Sequence, residues 1–85
     1  MTVRVPVTTA ALGGAMDIPT LEGTMALKIP EGTQSGRIIR VRGQGVPNVH
    51  GRGRGDLLVS VQVVTPTKLT RRQKQIIESL RQELG

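Results

Sequence analysis

The chain has 85 residues with no cysteine and no aromatic side chain, and its 12 Lys and Arg against 6 Asp and Glu leave a net charge of +6. That length makes one domain. The absence of cysteine excludes disulfides, thiol nucleophiles and cysteine zinc sites; no apolar run approaches the roughly 18 residues of a membrane span, and no charged-then-apolar signal segment opens the chain.

A soluble cytoplasmic protein is therefore expected. Leu, Ile and Val supply its core, and each buries less area than an aromatic ring does. The positive charge is spread along the chain: Lys68, Arg71, Arg72, Lys74 and Arg81 outnumber Glu78 and Glu83 at one end, and Arg37, Arg40, Arg42, Arg52 and Arg54 form a looser central group.

From Thr2 to Thr8 the apolar residues alternate as Val3, Val5 and Val7, which specifies a half-buried strand. Pro6 has no N–H to give to a ladder, so this strand belongs at a sheet edge. The run Thr8-Thr9-Ala10-Ala11-Leu12-Gly13-Gly14 combines a hydroxyl N-cap, helix formers and a glycine stop, and predicts one short helical turn. Met16 and Ile18 alternate with Asp17, and Met25, Leu27 and Ile29 alternate with Ala26 and Lys28. With Glu22-Gly23 between them, residues 15–29 read as a hairpin.

The turn cluster Pro30 to Gly36 leads into a third strand over Arg37 to Arg42. There Ile39 and Val41 face one way, and Ile38, Arg40 and Arg42 face the other. Residues 43–56 contain Gly43, Gly45, Gly51, Gly53, Gly55 and Pro47, and form the one long loop. Leu57 to Val64 is the strongest strand, with Leu57, Val59, Val61 and Val63 on one side. Thr65-Pro66-Thr67 ends it.

The period then changes. Thr70-Arg71-Arg72-Gln73 is a Thr-x-x-Gln capping box, and Ile76, Ile77, Leu80 and Leu84 follow at helical spacing. Arg71, Arg72 and Lys74 fall at the positive end of this helix's dipole, which opposes them. Stability gives no reason for that placement. Strands first and a helix last give a β-rich domain with a C-terminal helical arm.

Little in the chain resembles catalytic machinery. His50 is the lone histidine and sits in a glycine-rich loop without a fixed carboxylate partner. Ser35 lacks the glycine two positions earlier that a nucleophile elbow requires, and reads as a turn residue. Gly43-Gln44-Gly45 is followed by Asn48 where a dinucleotide fingerprint has its third glycine, and no lysine completes a phosphate loop. Gly51-Arg52-Gly53-Arg54-Gly55 is like arginine–glycine segments that contact RNA, but the aromatic platforms that accompany them are absent. Met16 and Met25 suit either an adaptable binding surface or the core.

Ordered motifs run through the whole chain: Ala11-Leu12-Gly13-Gly14, Ile18-Pro19-Thr20-Leu21-Glu22-Gly23, Leu27-Lys28-Ile29-Pro30, Gly32-Thr33-Gln34-Ser35-Gly36, Arg40-Val41-Arg42-Gly43-Gln44-Gly45-Val46-Pro47 and Gly53-Arg54-Gly55-Asp56-Leu57-Leu58-Val59. In order and spacing they resemble the second C-terminal β-domain of DnaJ-type J-domain co-chaperones. The resemblance implies a mainly β fold: a small two-sheet β-domain of the DnaJ C-terminal type over 1–66, with one short helix, and a C-terminal amphipathic helix over 67–85 that serves dimerisation. Ile38-Ile39 stands where relatives often carry an aromatic, and the Thr9 to Leu12 turn is shorter than usual.

The J-domain with its His-Pro-Asp motif, the cysteine-rich zinc module and the first C-terminal β-domain have no counterpart in these 85 residues. The resemblance thus implies part of a longer protein that does not itself stimulate a partner ATPase. It also implies a non-enzymatic module without cofactor or metal that holds unfolded polypeptide clients, forms a homodimer and reaches a DnaK-type chaperone through other parts of the parent chain. Membrane contact is not expected.

Similarity to the sister domain places a client groove at Val3, Val5, Met16 and Ile18; core packing is the alternative for all four. The family's dimerisation element corresponds to the stripe Leu69, Ile76, Ile77, Leu80 and Leu84, and packing of that stripe on its own sheet is the alternative. A small basic RNA-binding protein using the Arg/Gly loop is the rival reading of the function.

Overall fold

A computed structural model describes residues 1–21, 23–43, 45 and 55–85. The alternating segments become β1 (Thr2–Pro6), β2 (Gly14–Thr20), β3 (Gly23–Ile29), β4 (Ile38–Val41) and β5 (Leu57–Val64), and the helices are α1 (Val7–Leu12) and α2 (Arg71–Leu84). One sheet has the order β1-β5-β4, and β2 and β3 form a separate antiparallel pair. β1 runs parallel to β5 with Val3 beside Val61 and Pro6 beside Val64. β4 pairs antiparallel with β5, Ile39 beside Val59. Pro6 therefore lies on an edge strand, where its missing N–H interrupts no ladder. The fold is the mainly β, two-sheet architecture with a short helix and a helical arm that the sequence implied.

The core forms where the two sheets and α1 meet. Val5, Val59 and Val61 come from one sheet, Ile18, Leu27 and Ile29 from the hairpin and Ala10 from α1, and all are buried. Period-two alternation accounts for this directly: each strand sends every second side chain to the interior. Thr33 is the buried polar side chain among the described residues, and its hydroxyl donates to the Pro30 carbonyl.

The first strand stops earlier than the alternation through Val7 suggests, and the helix starts earlier than Thr8. Pro6 is the reason. With φ −58° it is set for helix entry and cannot continue the ladder, so Val7 joins α1 and Thr8 lies inside it; no side chain caps the N-terminus. At the other end Gly13 takes φ +81°, and a Cβ there would sit 3.1 Å from the Glu31 nitrogen and 3.2 Å from the Ile29 oxygen. The turn after β3 completes this end of the helix: the N–H groups of Gly32 and Thr33 donate to the carbonyls of Ala11 and Ala10 at 3.3 and 2.9 Å, satisfying acceptors that a helix C-terminus leaves open.

Beyond β5 the chain turns at Lys68, which holds a left-handed φ of 53°, and enters α2. The capping box forms in full: the Gln73 N–H donates to the Thr70 hydroxyl at 3.1 Å, and the Thr70 N–H donates to the Gln73 side-chain oxygen at 2.8 Å. The radius of gyration is 16.6 Å and the long axis 55 Å, against the roughly 12 Å radius expected of a compact chain of this length. The excess is α2, which is about 21 Å long at 1.5 Å per residue and has no buried residue.

Candidate interaction surfaces

Two sets of residues singled out in the sequence end up in different environments. Val3, Val5, Met16 and Ile18 all join one cluster, but Val5 and Ile18 are 0% and 1% exposed, with Val3 and Met16 half-buried against them. Inward alternation puts them there. Val3 and Met16 keep part of their surface accessible, whereas Val5 and Ile18 are committed to the core.

The α2 stripe is the opposite case. Ile76, Ile77, Leu80 and Leu84 are 53%, 42%, 53% and 78% exposed. Leu69 precedes the Thr70 cap and is half-buried, so it belongs to the approach to the helix and not to α2 itself. Within one chain, then, the stripe does not pack on its own sheet. An aliphatic face of this kind on an otherwise charged helix, with Arg72, Lys74, Arg81 and Glu83 flanking it, leaves apolar area in water that association would remove.

A further apolar feature was not legible in the sequence. Arg4, Pro6, Val7, Thr8, Val64 and Pro66 line an open groove of about 380 Å³ at the point where β5 leaves the sheet toward α2. It exists because the parallel register sets Pro6 beside Val64. The only sequence trace is that Val7, Val64 and Pro66 are apolar residues at element ends, Val7 closing the Val3-Val5-Val7 alternation and Val64 on the outward side of its strand.

The basic central group is tied down at one point. Arg40 donates through Nε to the Asp56 carboxylate, and the Gly43 N–H donates to the other oxygen at 3.2 Å. The Arg40 hydrogen bond first, then that of Gly43, holds the Asp56 carboxyl below its ordinary value, reinforced by the charges of Arg40 and Arg42. The Gly45 N–H donates to the Gly55 carbonyl at 2.8 Å. The two ends of the 43–56 segment are thereby clipped together at the base of β4 and β5.

Ser35 has a structural task, its hydroxyl accepting from the Val63 N–H at 3.0 Å. His50 and the Arg52 and Arg54 segment lie outside the described residues. Among the described residues no cluster of His, Asp or Glu is arranged to hold a metal ion, and no helix is long and apolar enough to cross a membrane.

Comparison with known proteins covers most of the chain. Residues 1–66 match the family model of the DnaJ C terminal domain. Relatives called "Chaperone protein DnaJ" include one from Carboxydothermus hydrogenoformans, 59% identical over 69 residues, covering 80% of this chain and 18% of the relative. One from Fusobacterium nucleatum is 42% identical over 83 residues, covering 98% and 21%. Another from Halalkalibacterium halodurans is 51% identical over 75 residues, covering 88% and 20%. The chain thus spans about a fifth of the length of these relatives.

Proposed function

Because the chain belongs to the DnaJ C-terminal domain family, we propose that it is the polypeptide-holding and dimerising part of a DnaJ-type co-chaperone, acting in the cytoplasm without catalysis. Residues 1–66 would be the second C-terminal β-domain and 67–85 the dimerisation helix. The observation that carries the reading is the exposed aliphatic face of α2, extended away from a domain whose own core is already closed without it.

The energetics favour a moderate dimer. Exposure of 42–78% at four aliphatic side chains on each of two helices makes the recoverable hydrophobic term on the order of 10 kcal/mol at about 25 cal/mol per Å². Association costs about 4–15 kcal/mol. The two are of similar size, so the dimer should be concentration-dependent.

For clients the reading is an extended, apolar, non-native segment that lies over Val3 and Met16, with Val5 and Ile18 as the floor that shapes the surface. Delivery to a DnaK-type chaperone would use parts of a longer protein, as the relatives' length suggests. The test is amide chemical-shift mapping with a permanently unfolded, apolar polypeptide. Shifts centred on Val3 and Met16 that persist at high salt support the reading, because apolar capture is insensitive to ionic strength. Shifts confined to the Pro6, Val7 and Val64 groove would overturn the residue assignment. Binding to RNA alone, collapsing between low and physiological salt, would overturn the function.

A further inference from the structure

The direction in which two α2 helices meet is written in their charges. At 100° per residue, Ile76, Leu80, Ile77 and Leu84 span one arc of α2 with Gln73 at its centre. Arg72 and Glu83 flank one border of this arc, and Lys74 and Arg81 flank the other. Among the described residues Arg81 is ion-paired within its own helix, to Glu78, whereas Arg72 and Glu83 enter no ion pair. The first turn of α2 carries Arg71 and Arg72, with Lys74 next, and no acidic residue. This sets three cations at the positive end of the dipole, an arrangement that costs stability in an isolated helix.

We infer that the occupant of this face is a second copy of the chain docked antiparallel, with Arg72 beside the partner's Glu83 and Glu83 beside the partner's Arg72. The inference rests on the dimer reading above and adds its orientation. In a two-fold antiparallel pair each border meets its own counterpart reversed. Arg72 then faces the partner's Glu83 twice by symmetry, and the first-turn cations lie beside the negative end of the partner's dipole. The other border brings Lys74 toward the partner's Arg81, whose charge is already offset by Glu78. A parallel pair would instead set Arg72 against the partner's Lys74, stack two first turns of like charge, and crowd both β-domains at one end.

The centres agree as well. Pairing Arg72 with the partner's Glu83 puts the two-fold axis between Ile77 and Glu78, and the apolar run from Leu69 to Leu84 has its middle between Ile76 and Ile77, one residue away. With the axis at the middle of the apolar run, the partner's Glu83 lies two residues, about 3 Å, along from the point opposite Arg72, an offset that these two long side chains span, so one axis serves both the apolar and the charged contacts. The cations that weaken the isolated helix thereby acquire a role in selecting its partner's direction.

The chain has no cysteine, which makes cross-linking a clean test in the full chain. Gln73 and Leu80 both face the partner, and an axis at the middle of the apolar run, between Ile76 and Ile77, places Gln73 opposite the partner's Leu80. Mixing Gln73→Cys with Leu80→Cys under mild oxidation should give the mixed disulfide. Either variant alone should cross-link at least about tenfold more slowly, since its own counterpart is seven residues, about 10 Å, along the helix and a disulfide needs Cα atoms within about 7 Å. As a second readout, Glu83→Arg should weaken the dimer about three- to tenfold in sedimentation, and adding Arg72→Glu should restore it. Rapid self-cross-linking of each single variant, or no rescue by the charge reversal, would overturn the antiparallel assignment while leaving the dimer intact. A monomeric wild type at high concentration would overturn the dimer itself, and the orientation with it.

Discussion

Ile18→Ala and Leu80→Ala remove the same three carbon atoms from two sites that the fold treats oppositely. Ile18 is 1% exposed in the core and Leu80 is 53% exposed on α2. At Ile18 the lost transfer energy is about 2.4 kcal/mol, at 0.8 kcal/mol per buried methylene, and the residual cavity raises the total to about 3–4 kcal/mol. A domain of this size has only about 4–10 kcal/mol of stability, so the variant should be close to unfolding. With a urea slope of about 1–1.5 kcal/mol per M, the midpoint should fall by about 2–4 M. Leu80→Ala, measured in dilute solution where the chain is monomeric, should move it by less than about 0.5 M. Without aromatic side chains the readout is circular dichroism. Equal losses at the two positions would refute the division between core and arm, and a cost below about 1 kcal/mol at Ile18 would refute the packing argument.

Thr70→Ala removes the hydroxyl that accepts from the Gln73 N–H while leaving the backbone N–H at position 70 to donate to Gln73, and should cost the helix about 1 kcal/mol, seen as reduced helical ellipticity and faster amide exchange at Gln73; unchanged ellipticity and exchange would show that the cap is not limiting. Gly45→Ala builds a Cβ 2.6 Å from the Asp56 carbonyl oxygen and should destabilise by about 1–3 kcal/mol, with shift changes at Gly43 and Asp56. A neutral outcome would mean that the clip yields without strain. Asp56 binds its proton less readily folded than unfolded, because Arg40 and Gly43 hold its charged form. Its stabilisation is therefore complete above the ordinary value of 3.8 and is lost as pH falls through the lower folded value. The stability gap between wild type and Asp56→Asn should close from pH 6 toward acid; a gap independent of pH would contradict the assignment.

Most of the fold was legible because its signals are local. The alternation from Leu57 to Val64 became β5 at those limits, residues 15–29 became a hairpin, and Thr70 and Gln73 closed the capping box. What stayed hidden depends on distant partners. Nothing near Pro6 announces that it will lie beside Val64 in a parallel pair, so the groove that this pair creates was invisible. Nor does alternation distinguish a strand face that lines a groove from one that fills a core, since both read as Val-x-Val. That is why Val5 and Ile18, candidates for a binding surface, are buried. The helical arm was legible as an amphipathic helix. Whether its stripe folds back was decided only in three dimensions, by a core that closes without it.

The most direct test of the central claim, that the aliphatic face of α2 serves association and not the chain's own core, is sedimentation of the wild type beside Ile77→Asp/Leu80→Asp over a wide concentration range. The wild type should pass from monomer to dimer with rising concentration, and the double variant should remain a folded monomer with the strand content of the parent. A wild type that stays monomeric at high concentration, or a double variant that unfolds altogether, would contradict it.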